Sequence, residues 1–184
     1  MLVTVDEFKN FIYARGDRPE DIERWTAALV WAEQMVKSYT KFAEYAEIED
    51  EIHDPRIVVF PNILPLREVT TVKLAGAELD STDWYAYELN VHIPSIVYDE
   101  CDPQSITITY AGGVTRDDLE ADPITGVVDT TTVGYRYLIH VMNAIKNLAQ
   151  ASIQRNMTMP GGRDAESFDI QAIIFEHLPR YRSL

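Results

Sequence analysis

The fold is decided by the stretch DRPEDIERWTAALVWAEQMVKSYTKFAEY, residues 17–45, which has the pattern of one long amphipathic helix. Asp17 followed by Glu20 predicts a cap for the first turn, and Pro19 occupies a position where a missing N–H costs nothing. Large apolar side chains recur in steps of three and four, which places them on one face. They are Ile22, Trp25, Leu29, Met35, Val36, Tyr39 and Phe42, with Ala28, Ala32 and Ala43 between them. The polar residues predicted to point away from this face are Glu23, Arg24, Glu33, Gln34, Lys37 and Lys41. Burying one large apolar side chain is worth about 1.5–3 kcal/mol, so the rest of the chain must cover this face.

The charge balance restricts the partners of the protein. Sixteen basic and 30 acidic residues give the 184-residue chain a net charge of −14. Because affinity for nucleic acid is built from Lys and Arg contacts, sequence-specific DNA binding and attachment to anionic membranes are not expected. The start of the chain is acidic, unlike a signal peptide, and no apolar run approaches the roughly 20 residues that span a bilayer. We therefore expect a soluble protein made in the cytoplasm.

Helices are predicted at both ends of the chain. Thr4 and Glu7 form a capping box that opens a short first helix. A second long amphipathic helix is predicted over about 132–156, and it supplies a face that can pair with the helix at 17–45. The acidic run at 44–54 is predicted to be a solvated helix end or loop.

The middle of the chain changes to strand periodicity. Short β-rich runs follow one another over about 56–111, and the clearest of them alternates isoleucine with threonine at 105–110. Residues 114–131 support neither period and predict a long acidic loop. The expected fold is a single α+β domain over 1–184. Its antiparallel helical bundle comprises 1–50 and 132–184, and a small antiparallel β-sheet subdomain is inserted over about 56–111.

No catalytic, cofactor-binding or metal-binding constellation is found in the sequence. The four histidines form no H-E-x-x-H pair, and neither a phosphate-binding glycine loop nor a G-x-S-x-G elbow is present. Cys101 is the only cysteine, so a disulfide within the chain is impossible, and its acidic neighbours would raise its thiol pKa rather than activate it. An enzyme is therefore not predicted.

The order of several short motifs resembles the head–tail connector (adaptor) proteins of tailed bacteriophages. In that family a long helix ends in a Glu-Ser-Tyr-Thr-like signature, similar to AEQMVKSYT at 32–40. A proline-led strand and a strand ending in glycine follow, similar to PLREVTTV at 65–72 and ITYAG at 108–112. A late helix with an arginine near its end and a terminal L-x-P-Y-R motif come last. Their counterparts here are Arg155 and LPRYR at 178–182.

The resemblance implies a structural protein of the virion neck without a cofactor. Such proteins assemble as a homo-oligomeric ring, typically a dodecamer, beneath the portal protein, extend the DNA channel and present a surface to the next neck, stopper or tail protein. DNA would pass through without specific binding, and no membrane would be involved. The C-terminal arm is expected to bind the portal through Arg180, Tyr181, Arg182 and Leu184. The alternatives are another neck or tail-completion ring protein of a phage, and a small cytoplasmic enzyme or ligand-binding domain.

Overall fold

The computed structural model describes residues 1–16, 18–96, 105–158 and 170–178. Over these residues the protein has four α-helices and two antiparallel sheets, which confirms the predicted α+β class. The chain divides into two compact units. The helical unit comprises residues 1–40 and 138–184, and the β unit comprises 41–137. None of the described helices combines the length and apolarity needed to cross a membrane.

Two of the described helices, α1 and α3, begin where the sequence supplies a threonine cap. Thr4 and Glu7 form the predicted capping box at the start of α1. Thr132 accepts a hydrogen bond from the Tyr135 N–H through its hydroxyl at the start of α3. Within the helical unit α2 packs against α1 and α4. The bounds are α1 Val5–Phe11, α2 Pro19–Tyr39, α3 Val133–Thr158 and α4 Ile170–His177.

The buried face of α2 is shifted from the predicted one. Ile22 and Tyr39, expected in the core, are 38% and 40% exposed, whereas Glu33, expected to point away, is buried. Glu33 tolerates burial because its carboxylate accepts a hydrogen bond from the Leu2 N–H at 3.1 Å and lies 3.4 Å from Lys37 Nζ. The buried residues of α2 are Trp25, Ala28, Leu29, Ala32, Glu33 and Val36.

The predicted extension of this helix to residue 45 is wrong at its C-terminal end. The chain becomes extended at Thr40, whose N–H and hydroxyl both donate to the carbonyl of Val36 at 3.0 and 2.7 Å. The buried Thr40 therefore pairs with a backbone carbonyl of the last helical turn, and the chain leaves the helix at this residue. At the other end Arg18 occupies the N-cap position without a side-chain hydrogen bond, and Asp17 lies outside the described residues.

Seven strands form two sheets in the β unit. The larger sheet has the order β1-β7-β3-β4 and the smaller has the order β2-β6-β5. The bounds are β1 Ala46–His53, β2 Val58–Val59, β3 Leu66–Leu74, β4 Ala77–Glu78, β5 Tyr85–Ala86, β6 Val91–His92 and β7 Ile106–Gly112. The central strand β7 carries the core of the larger sheet, because its alternate residues Ile106, Ile108 and Tyr110 are buried.

The acidic run at 44–54 was predicted as a helix end or loop, and this prediction is wrong for most of its length. It forms β1, an edge strand paired antiparallel with β7. Ile48 and Glu51 lie opposite Tyr110 and Ile108, so the run has an inner face despite its charge. The strand region therefore begins ten residues before the predicted start at 56. The acidic loop at 114–131 contains a single 3-10 turn, Arg116–Leu119.

A candidate interface site around Arg67

Arg67 lies on β3, inside the proline-led strand motif, and connects three other parts of the β unit. Its Nε donates to the carbonyl of Gly113 at 2.8 Å, just beyond the glycine end of β7. Its Nη1 donates to Asp118 Oδ1 at 2.9 Å, while Nη2 pairs with Asp118 Oδ2. The Arg67 guanidinium also lies 5.2 Å from the centre of the Tyr45 ring, within cation–π distance. A planar, five-donor group is required for all of these contacts at once.

The carboxylate of Asp118 is positioned by the turn that carries it. Thr115 caps this turn with its hydroxyl, and the Thr115 N–H donates back to Asp118 Oδ2 at 3.0 Å. The Asp118 side chain is 9% exposed and that of Arg67 is 24% exposed, so the ion pair is largely removed from water. The first turn of the acidic loop is thereby fixed to the sheet.

Two glycines make the close approach possible. A Cβ on Gly134, in the first turn of α3, would collide with both Asp118 Oδ1 and Arg67 Nη2. Gly113 has φ +95°, and a Cβ there would lie 2.5 Å from the carbonyl oxygen of Glu44. The segment after α2 runs through this contact, because Val114 N–H donates to Ala43 O at 2.9 Å. Glycine is thus required at position 113 by the close packing of the Glu44 backbone and by the positive φ, rather than for binding a phosphate.

A shallow cleft opens beside Arg67, with a volume of about 200 Å³. Its position is fixed by Glu88, whose carbonyl accepts the Leu66 N–H at 2.7 Å and whose carboxylate binds Arg136 and Tyr137. Burial and the hydrogen bond to Glu88 raise the pKa of Tyr137 to about 12. The cleft is lined by Leu66, Arg67, Glu68, Val69, Ala86, Tyr87, Glu88 and Val133.

A second polar cluster lies on the inner face of β1. Glu51 Oε2 accepts the Tyr110 hydroxyl at 2.6 Å. Glu51 Oε1 accepts the Asn62 N–H at 3.0 Å and lies 2.6 Å from His53 Nε2. Burial alone would raise the pKa of Glu51, but hydrogen bonds from His53, Tyr110 and Asn62 together hold it below its usual value. Burial, and then the hydrogen bond to Glu51, raise the pKa of Tyr110.

This cluster has titratable side chains, but its hydrogen bonds are used for tertiary structure. The Tyr110 hydroxyl also accepts the Ile63 N–H at 3.1 Å, so the cluster ties β1 and β7 to the segment before β3. Among the described residues no group of three or more His, Cys, Asp or Glu side chains is arranged to hold a metal ion.

The negative charge is concentrated in the β unit. Residues 41–137 contain 19 acidic and 6 basic side chains, a net charge of −13, whereas the helical unit has 11 acidic and 10 basic side chains. The sequence alone gives the total charge of −14. The division into units shows that −13 of this charge belongs to the β unit. The surface that a polyanion would meet on the β unit is therefore repulsive.

The predicted partner-binding residues Arg180, Tyr181, Arg182 and Leu184 lie outside the described residues, as does Cys101. Sequence reasoning did not identify Arg67 or Asp118, although Arg67 stands within the strand motif at 65–72. The sequence signal that could have indicated this site is a basic residue, Arg67, within a strand motif, with glycines and an acidic segment later in the chain. The sequence does not indicate which of the loop acids would meet it.

No protein-family model and no curated protein matches this sequence. Three solved structures align with it along almost its whole length. The virion of a native gene transfer agent particle has 14% identity and TM-score 0.48, with 100% of this chain and 92% of the other covered. The neck of the empty particle, computed with C6 symmetry, has 15% identity, TM-score 0.46 and the same coverage. The neck of the native particle, computed with C12 symmetry, has 14% identity and TM-score 0.39, with 98% and 90% covered. All three scores lie below 0.5, so the likeness assigns no role to residues of this chain.

Proposed function

We propose that this protein is a head–tail connector of a tailed-phage type of virion, located in the neck. It assembles as a homo-oligomeric ring, a dodecamer, on the portal protein, extends the DNA channel and joins the capsid to the next neck or tail protein. Its role is structural rather than catalytic.

The observation that carries the proposal is the meeting of the family-like motifs at Arg67. The proline-led strand at 65–72 supplies Arg67, and the glycine strand end at 108–112 leads directly into its acceptor Gly113. The end of the AEQMVKSYT stretch at Thr40 leads into the segment that crosses Gly113. Two motifs that are short and distant in sequence thus meet within the β unit, which supports reading their shared order as a common architecture.

The charge distribution supports the channel role. DNA sliding through a ring must not be held by salt-dependent Lys and Arg contacts, and a wall with a net charge of −13 per subunit provides few of them. We assign the β unit, including the acidic loop at 114–131, to the lumen or to the neighbouring subunit.

The helical unit is proposed to be an antiparallel bundle built on α2 and α3. Arg24, near the start of α2, donates from Nη2 to the carbonyl of Ile153, near the end of α3, at 3.0 Å. A contact between the start of one helix and the end of the other is what antiparallel packing requires. We propose that the C-terminal arm, with Arg180 and Arg182, binds the portal.

Negative-stain microscopy of the protein mixed with the portal of the same virus tests the proposal. The expected image is a ring of this protein stacked on the portal ring. Rings that form but bind only a tail component would favour a different neck or tail-completion protein, and a persistent monomer that ignores the portal would contradict the proposal. Deletion of residues 179–184 is expected to abolish attachment to portal-bearing capsids, and normal attachment would refute the role of the arm.

A further inference from the structure

The acidic loop of the β unit has an apolar tip. Asp122 Oδ1 accepts the N–H groups of Ile124 and Thr125 at 2.8 and 2.7 Å, and the Gly126 N–H donates to the Asp122 carbonyl at 2.8 Å. The Asp122 N–H in turn donates to the carbonyl of Val127 at 3.0 Å, which closes the turn. We refer to residues 122–127 as the loop tip. All of its backbone N–H groups donate within the tip, and its apolar side chains Ile124 and Val127 are exposed.

The two apolar side chains of the loop tip are exposed to solvent. Ile124 is 92% exposed and Val127 is 64% exposed, so neither packs against its own subunit. Isolated exposed apolar residues need no explanation, but two branched ones lie close together here, on a turn closed by six hydrogen bonds, and form a small knob. The knob is available to another surface.

The same β unit contains a hollow of suitable size and chemistry. The cleft beside Arg67 has a volume of about 200 Å³ and is partly open to solvent, so it can admit an aliphatic side chain. Its apolar lining is supplied by Leu66, Val69, Ala86 and Val133.

The surroundings of the cleft have the composition of a protein interface. Tyr87 on its wall is 57% exposed, and Tyr45, which the Arg67 guanidinium covers, is 42% exposed. Tyrosine and arginine are the residues most enriched at the energetic centres of interfaces. The walls are also held in place before binding by the ion pairs of Arg67 and Glu88, so little order has to be gained on docking.

We infer that the loop tip of one copy inserts Ile124 and Val127 into the Arg67 cleft of the adjacent copy. This inference rests on the proposed ring and identifies one of its subunit contacts. A ring needs a head-to-tail interface in which two different patches of the same chain meet, and the tip and the cleft are two such patches. The tip does not occupy its own cleft, since Ile124 is almost fully exposed within its own subunit.

Paired cysteines test the contact directly. In a Cys101→Ser background, one tagged copy carries Ile124→Cys and a second, differently tagged copy carries Ala86→Cys, which lines the cleft. Both are mixed and assembled on the portal under mild oxidation. A disulfide-linked dimer carrying both tags is expected. The matched control replaces the tip cysteine with Ala77→Cys, which is also small and exposed but lies on β4, and it should give no such dimer.

A second variant measures the contribution of the tip. Ile124→Ser should leave the melting temperature unchanged because the side chain is exposed, while weakening ring assembly by about 10- to 100-fold. Rings that form normally with Ile124→Ser, or that give no tip-to-cleft disulfide, would overturn the inference and leave the proposed function standing. A disulfide between Ile124→Cys and a portal cysteine would overturn it as well, because the occupant would then differ. Failure of the unmodified protein to form any ring or portal complex would contradict both proposals.

Discussion

Arg67 and Asp118, which are 51 residues apart in sequence, form a two-point ion pair that fixes the start of the acidic loop to the larger β-sheet. The same pair covers the first turn of α3, where Gly134 leaves room for it. One arginine therefore sets the relative positions of the cleft, the loop and the helix start within the β unit.

Arg67→Lys should destabilise the β unit by about 2–3 kcal/mol. Lysine retains the charge but cannot bind both carboxylate oxygens and the Gly113 carbonyl together, which leaves a largely buried carboxylate incompletely paired. Urea unfolding followed by circular dichroism measures the loss. Arg136→Lys is the matched control, because the Arg136–Glu88 pair has side chains 50% and 38% exposed and should contribute less than about 1 kcal/mol. Equal losses in the two variants would contradict the special position of Arg67.

Gly134→Ala should destabilise the protein although alanine is the better helix former by about 1 kcal/mol. The added methyl group would collide with the Arg67–Asp118 pair. In an Asp118→Ala background the carboxylate is absent and the arginine is free to move, so the same substitution should become neutral or stabilising. A double-mutant cycle of the unfolding free energies checks this reversal. An unchanged penalty in both backgrounds would show that the pair is not its cause.

Gly113→Ala and Gly76→Ala separate backbone strain from crowding. Both glycines have positive φ, +95° and +82°, so each alanine variant pays about 1–2 kcal/mol for the left-handed conformation. Only at Gly113 would the new Cβ lie 2.5 Å from the Glu44 carbonyl oxygen, while nothing lies within 4 Å at Gly76. Thermal unfolding should therefore rank Gly113→Ala as clearly the less stable variant. Equal melting temperatures would mean that the segment at 41–45 can move aside.

Glu51 should make folding stability dependent on acid pH. Its pKa in the folded protein is below the ordinary value of 4.5, so its contribution is present above that value and is lost as the pH falls through the folded pKa. Glu51→Gln should therefore be less stable than the unmodified protein at pH 6–7, and the difference should shrink towards pH 3. Unfolding free energies at several pH values measure it, with Glu49→Gln on the exposed side of β1 as the control. A difference that does not depend on pH would contradict the role given to Glu51.

Tyr110→Phe tests the same cluster from the other strand. The variant removes the hydroxyl that donates to Glu51 and accepts the Ile63 N–H, while the ring stays in the core. A loss of about 1–3 kcal/mol in unfolding free energy at neutral pH is expected. Combining it with Glu51→Gln should cost less than the sum of the two losses, and strict additivity would indicate that the two residues do not act together.

Local signals in the sequence predicted the helices well, and long-range contacts explain where the prediction was wrong. The Thr4–Glu7 capping box and the start of α3 after Thr132 depend on neighbouring residues and were confirmed. The end of α2 depends on the buried hydroxyl of Thr40, and helix periodicity gives no warning of it. Glu33 was assigned to the polar face because its partner, the Leu2 N–H, is 31 residues away.

The strand β1 shows why the acidic run was misassigned. Its inner positions are occupied by Ala46, Ile48, Glu51 and His53, so two of the four would be read as solvent-facing. Glu51 can face the sheet interior only because Tyr110 and Asn62 donate to it from other segments. The Arg67–Asp118 pair was missed for the same reason, since several acids of the loop were equivalent candidates in the sequence. The site thus depends on pairings that only the fold determines.

The proposed neck location is tested most directly by a cryo-electron microscopy map of the neck of the virion that is proposed to contain this protein. We expect a symmetric ring against the portal in which each subunit fits this fold, with the acidic β unit at the channel or at the neighbouring subunit. A neck map whose portal-bound ring is made of a different protein, with no density that this chain fits, would contradict it.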